Sequence, residues 1–258
     1  TVCSDWLNYN TGWWRGFDST GTHLKWGYIL WDNDATFGHY INYTGIPNTS
    51  PTAQPCDPES ISFAAQQPWL DPTYMDTHIV ILNKLQENPD FNQYYISRQI
   101  DLWNTVFSCD NMLAQLDSTI ALIDPEMAQH VGRWDGNGGT YAEWQTNVQT
   151  LRNFIIQRCA ALTTGFKTCY ALTGPYDLVL NADPIGAGSV KLNSLTIDQF
   201  PWDGKYFGGI ETKLEAISDT NNQFVNWTAG NHSFNPNDTI VAVKISISLS
   251  FSIFLYIG

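Results

Sequence analysis

Asp32 and Asp34 stand two residues apart in Trp31-Asp32-Asn33-Asp34-Ala35-Thr36-Phe37-Gly38, between the strand-like run Gly27–Trp31 and a Phe-Gly turn. Carboxylate oxygens are the ligands a hard cation such as Mg2+ prefers. Side chains at i and i+2 of an extended segment leave from one side, so the pair is placed for joint coordination. Upstream, Asp5 and Asn10 stand five apart in Asp5-Trp6-Leu7-Asn8-Tyr9-Asn10. That is the spacing of a phosphoryl-transfer loop, in which the Asp orients an attacking hydroxyl and the Asn holds a metal ion. Each segment also has a plainer reading. Asp5 can serve an Asx turn or a helix cap, and Asp32 and Asp34 can bond turn N–H groups or hold a weak structural Ca2+. It is the co-occurrence of both segments that points to a metal-assisted site.

Such a site needs elements that bring the two segments together. The alternation in Gly12-Trp13-Trp14-Arg15-Gly16-Phe17, a turn at Asp18–Gly21 and the run ending at Trp31 predict a hairpin. Asp5 and Asn10 precede its first strand and Asp32 and Asp34 follow its second, so all four would lie at one end. Residues 39–74, punctuated by proline, predict a long ordered loop that Cys56 can pin. Helical spacing then dominates residues 75–162. It predicts a helix over 75–87, a second capped by Asn88 with Pro89 at its first position, and a third from Ser108 or Asp110. A fourth short helix is predicted to open at Asp124-Pro125 and end near Trp134, and a fifth to run from Tyr141 to about Leu162. After Gly165 short β-like runs at 176–182, 189–197, 205–217, 223–228 and 239–257, separated by turn residues, predict a small all-β sandwich-like domain. The fold class is therefore α+β, with domains at 1–165 and 174–258. In the tail, serines at 246, 248, 250 and 252 alternate with apolar residues, which is strand periodicity.

The totals limit the partners. Twelve basic against 25 acidic residues give a net charge of −13, which disfavours nucleic acid and anionic membranes. It does not disfavour ATP, because Mg2+ bridges carboxylates to phosphates. No run reaches the ~20 apolar residues of a membrane span. The five cysteines, Cys3, Cys56, Cys109, Cys159 and Cys169, match no zinc spacing. Two disulfides and one thiol would suit an exported protein, and buried thiols are the alternative. Five Asn-x-Ser/Thr tripeptides (Asn42, Asn48, Asn226, Asn231, Asn237) are too frequent by chance to carry weight.

The runs Ser4–Asn10, Trp13-Trp14-Arg15 and Trp31–Gly38, with Asn83–Phe91 and Pro125–Trp134, resemble the CotH family of spore coat protein H-like kinases. The resemblance covers roughly residues 1–162, and its Trp-Asp-x-Asp-x-x-Phe-Gly core is the specific part. It implies an atypical kinase-like fold, represented here by a mainly helical C-lobe with a short β-hairpin. It also implies transfer of the ATP γ-phosphate to Ser/Thr of partner proteins with Mg2+, at the cell surface or outside the cell. Carried over by motif, Asp5 is the catalytic-loop Asp, Asn10 takes the metal- and cofactor-binding Asn position, and Asp32 or Asp34 is the metal-binding Asp before the Phe-Gly turn. The β-rich part, with Pro201–Gly209 its most recognisable run, is similar to C-terminal modules of surface proteins.

A kinase also needs a Lys-bearing lobe over the nucleotide. Only four residues precede Asp5, and neither Lys25 nor Lys84 is well placed, so that lobe is expected outside this chain and the chain alone is expected to be inactive. The alternative is a non-catalytic surface interaction protein on a kinase-like scaffold. A glycoside hydrolase fits less well, because it needs carboxylates ~5–10 Å apart across a cleft. His78 and His130 read as ordinary helix residues, and His23 and His39 flank the hairpin. Trp6, Trp13, Trp14, Trp26 and Trp31 read as core packing ahead of a sugar-stacking platform.

Overall fold

The computed structural model describes residues 2–3, 11–17, 20, 24–39, 48–60, 78–134, 139–230 and 234–257. The hairpin forms where the sequence predicts it. Strand β1 (Thr11–Trp14) pairs antiparallel with β2 (Gly27–Leu30), with Thr11 opposite Leu30 and Trp14 opposite Gly27. Thr11 begins β1 and Leu30 ends β2, so the chain before β1 and the chain after β2 leave from the same end of the ribbon.

Two compact units emerge, residues 1–85 with 112–165, and residues 86–111 with 166–258. The first contains the hairpin, α1 (His78–Gln86) up to Leu85, most of α3 (Cys109–Trp134) and most of α4 (Tyr141–Tyr170). Two expected helix ends are corrected here. Helix α3 runs through Pro125 instead of restarting there. A proline inside a helix removes one backbone bond and costs about 3 kcal/mol. The half-buried stripe Leu116, Ile120, Asp124, Met127 and Val131 nevertheless continues at 3–4 residue spacing across it, so side-chain packing outweighs the local break. The Asp124 carboxylate also accepts the Tyr141 hydroxyl, and Asp117 pairs with Arg152, which ties α3 to α4.

Helix α4 likewise passes Leu162 and Gly165. Gly165 is a site of close approach and not a stop, because a Cβ there would lie 2.5 Å from Pro55 Cδ and 3.1 Å from Gln54 Oε1. The segment 48–60 rests against this part of α4. Arg158 donates to the carbonyls of Ala53 and Pro51, Asn48 accepts from Ser50 N–H at 3.0 Å, and Ala53 is buried. Burial of Arg158 pulls its pKa below the ordinary range, with Asp57 opposing that shift. The loop is thus ordered over 48–60, as expected; residues 40–47 and 61–74 of the predicted loop lie outside the described residues.

Among the described residues the second unit holds α2 (Pro89–Asn104) and eight strands. Asn88 caps α2 by accepting from Asp90 and Phe91 N–H, with Pro89 at the first position as predicted. One sheet has the order β6 (Trp202–Gly208), β3 (Thr173–Asp183), β10 (Leu249–Ile257), β8 (Asn222–Thr228). The other has the order β5 (Leu195–Ile197), β4 (Gly188–Leu192), β7 (Glu211–Ser218), β9 (Ile240–Lys244). Three of the predicted β runs are pairs of strands, split at Asn193-Ser194, at Gly209-Ile210 and between Lys244 and Leu249. Asn193 and Gly209 take positive φ (49° and 91°) and make the first two reversals. The alternating tail is no edge: β10 lies parallel to β3 and antiparallel to β8, with Phe251 and Ile253 fully buried. The α+β class with a β-rich C-terminal part holds. The second unit takes in α2 as well as the residues from 166 on, a grouping different from the division at 1–165 and 174–258. Among the described residues no helix is long and apolar enough to cross a membrane.

The reason α2 belongs with the strands is Asp101, which is wholly buried. One carboxylate oxygen accepts Tyr206 O–H (2.9 Å) and Asn193 Nδ2 (3.2 Å), and the other accepts Ser194 N–H (3.0 Å) and Ser194 Oγ (2.5 Å). Four donors fill the lone-pair sites of a carboxylate. Arg98 donates to Ser194 Oγ at 2.8 Å and brings a cation to the edge of the network. Burial and the Asp101 charge push the Tyr206 hydroxyl well above its usual pKa.

Two outcomes test this packing. Tyr206→Phe should lower stability by roughly 1.5–3 kcal/mol at neutral pH, the worth of a hydrogen bond to a buried charge. The raised Tyr206 pKa adds a pH signature. The unfolded phenol ionises near pH 10 while the folded one does not, so stability is full below that pH and falls as pH rises above it. Denaturant melts at pH 8 and pH 10.5 should show this loss in the parent and less of it in Tyr206→Phe. Separately, Gly165→Ala should destabilise by about 1–3 kcal/mol through overpacking, although alanine is the better helix former by ~1 kcal/mol. A stabilised Gly165→Ala protein would refute the close approach of Pro55.

Candidate functional site

The loop after β2 leaves the extended conformation at once. Asp32 has φ +54°, so the strand alternation that would place Asp32 and Asp34 on one side does not describe this stretch. Asp34 C=O accepts Thr36 N–H at 2.7 Å and closes a three-residue turn around Ala35, which is buried. Thr36 C=O then accepts His39 N–H at 2.9 Å around Phe37 and Gly38, both at positive φ (56° and 72°). Positive φ at both central residues is a type I′ turn. Glycine takes that conformation freely. Phenylalanine does not, and it is held by packing, its ring meeting Phe154 of α4 edge-on at 5.9 Å. The two turns leave both Asp32 and Asp34 exposed to solvent.

The start of the chain comes to the same place. Cys3 Sγ lies 3.7 Å from Asn33 Oδ1, between the two aspartates. Asp5 and Asn10 lie outside the described residues. Asn10 directly precedes Thr11, whose partner across the hairpin is Leu30, two residues before Asp32.

Asp34 also belongs to a cavity of about 520 Å3, lined by the Thr36–His39 turn and by the facing sides of α3 and α4. Its apolar wall includes Phe37, Ile120, Trp144, Val148 and Leu151, and its polar edge includes Asp34 and Asn147. In sequence these helix residues recur at 3–4 residue spacing, as an inward-facing stripe does. The 3.6-residue period is identical for a core face and a cavity wall, so no signal in the sequence separates them. Asp32 is not among the lining residues.

A metal can be tested against these donors. Among the described residues no group of three or more His, Cys, Asp or Glu converges. Mg2+ does not need one, because it keeps several waters and is held by one or two carboxylates together with substrate phosphates. An exposed aspartate carboxylate is the donor type that ion takes, whereas the Cys and His ligands typical of a structural zinc site do not gather among the described residues.

The sequence profile of the family described as CotH kinase protein matches residues 3–162. The chain belongs to this family. The match covers the hairpin, the Asp32–Gly38 loop, helices α1 to α3 and most of α4, while the β-rich part from Thr173 lies beyond it. No curated protein and no solved structure matches the chain.

His39 lines the cavity and His130 is exposed on α3, while His23 and the His78 side chain lie outside the described residues. The expected core packing of the tryptophans is corrected: Trp13, Trp14, Trp26 and Trp31 are all 39–64% exposed, and Trp6 lies outside the described residues. The cause is the two-stranded ribbon, on which rings lie along the strands. The Trp14 ring covers Gly27 and the Trp31 ring covers Gly12, each within reach of the missing Cβ.

The turn makes a direct prediction. Gly38→Ala should cost about 1–2 kcal/mol for the left-handed backbone, with a further penalty because its Cβ would stand 3.2 Å from the Phe154 ring. The combined loss should appear in thermal denaturation. An unchanged melting temperature would contradict the Phe-Gly turn described here.

Proposed function

We propose that this CotH-family chain is the metal-holding part of an atypical protein kinase that transfers the ATP γ-phosphate to Ser/Thr hydroxyls of partner proteins. The observation that carries the reading is the hairpin register. With Thr11 opposite Leu30, the segment bearing Asp5 and Asn10 and the loop bearing Asp32 and Asp34 emerge from the same end of β1–β2. The contact between Cys3 and Asn33 supports the same convergence.

In this reading Asp5 orients the acceptor hydroxyl and takes up its proton, and Asn10 with Asp32 or Asp34 holds Mg2+ on the nucleotide phosphates. When bound, the ion neutralises charge on the transferring phosphate. The Phe-Gly turn fixes the carboxylates by anchoring Phe37 on Phe154. Cys56, Cys109, Cys159 and Cys169 are all in disulfides, which supports folding in an oxidising compartment and hence a surface or extracellular site of action.

The complete protein, incubated with Mg2+ and γ-labelled ATP, should phosphorylate a surface or coat protein acceptor. Asp5→Ala should reduce transfer by about 100-fold or more, the usual scale for a lost catalytic base. Asp32→Ala and Asp34→Ala should raise the Mg2+ concentration needed for half-maximal rate, the larger shift marking the direct ligand. If Asp5→Ala transfers phosphate at the parent rate, the kinase reading fails and the non-catalytic scaffold takes its place.

A further inference from the structure

We infer that the cavity beside the Phe-Gly turn is a polypeptide-binding subsite that selects acceptor segments carrying a bulky apolar side chain close to the reactive hydroxyl. The inference rests on the phosphotransferase reading of the adjoining carboxylates and names what that site would choose.

Three features point to this occupant. The cavity is half open, its volume of about 520 Å3 falls within the range of ligand sites, and its wall is mainly apolar, from Phe37 and Ile120 to Trp144, Val148 and Leu151. Asp34 is part of the same lining, so the cavity opens onto the loop that carries the proposed metal ligands. An extended residue advances about 3.3–3.6 Å, so a side chain seated in the cavity leaves a hydroxyl one or two positions away beside Asp34. The charge then narrows the ligand. Asp34 is the single Asp, Glu, Lys or Arg among the described lining residues, and the chain carries −13. A fatty acid or other amphipathic anion is therefore disfavoured, and a neutral or basic-flanked peptide bearing Leu or Phe is favoured.

The test separates binding from transfer. Two synthetic peptides, Gly-Lys-Gly-Ser-Gly-Leu-Gly-Lys and its counterpart with Gly in place of Leu, are titrated into the protein by calorimetry, with phosphate transfer measured in parallel. The Leu peptide should bind about tenfold tighter or more, the scale expected for burying one aliphatic side chain. Val148→Asp should erase that preference. Val148→Phe, which fills the cavity without adding charge, should do the same and serves if the charged variant does not fold. Equal affinity for the two peptides overturns the inference, as does a preference that survives both variants, or displacement of the Leu peptide by ATP. Preference without transfer by the complete protein supplied with Mg2+ and ATP keeps the polypeptide subsite and removes the kinase reading. Transfer without preference removes the subsite and keeps the kinase.

Discussion

A single buried carboxylate organises the second unit. Asp101 lies on α2, yet every donor that satisfies its side chain comes from the strands: Asn193 and Ser194 at the β4–β5 reversal, and Tyr206 on β6. An ionised carboxylate without partners would cost several kcal/mol in an apolar interior. Helix and strands must therefore meet in one register, with both oxygens filled. The contacts around this point follow the same register. Gln93 donates to Glu211 C=O, Asn104 donates to Lys205 C=O, and Trp103 packs against Phe166 and Phe207. A purely apolar contact between helix and sheet tolerates sliding. A saturated carboxylate does not.

The first unit relies on a different constraint, the geometry of a short ribbon and the two turns that follow it. Four residue pairs hold β1 to β2, and the glycines at 12 and 27 let Trp31 and Trp14 fold across the strands. Beyond Leu30 the backbone turns at Asp32, at Ala35 and again at Phe37-Gly38. Positive φ at an aspartate and a phenylalanine is conformational strain of about 1–3 kcal/mol each, sustained where surrounding structure over-determines it. The edge-on contact with Phe154 is that determinant for Phe37. Strain of this kind is concentrated at functional sites, and here it falls on the loop that carries Asp32 and Asp34.

Much of this was legible in the residues. The hairpin followed from alternation and turn residues, the α2 cap from Asn88-Pro89, and the β-rich region from short runs between turn signals. Each depends on contacts between neighbours in sequence. The errors were of another kind. Pro125 predicts the opening of a new helix and α4 is predicted to end near Leu162, yet Pro125 and Gly165 both lie inside long helices. Packing along an unbroken stripe overrode the first, and the approach of Pro55 explains the second. The tryptophans are expected in a core because aromatic residues bury the most surface, but among the described residues β1 and β2 pair only with each other and leave Trp13 and Trp14 partly exposed.

The sequence by itself carried the family resemblance, in the run Trp31–Gly38 together with the Asp5–Asn10 segment, and the family profile matches residues 3–162. It also determined the α+β class and most strand positions, through periodicity. Tertiary structure alone decided that Asp101 is the anchor of α2, since nothing distinguishes it in sequence from Asp90 or Asp110. It alone decided that Ile120, Trp144, Val148 and Leu151 wall a cavity that reaches Asp34. A helical period records which side of a helix is apolar. Whether that side meets another side chain or an open space depends on residues far away in the chain.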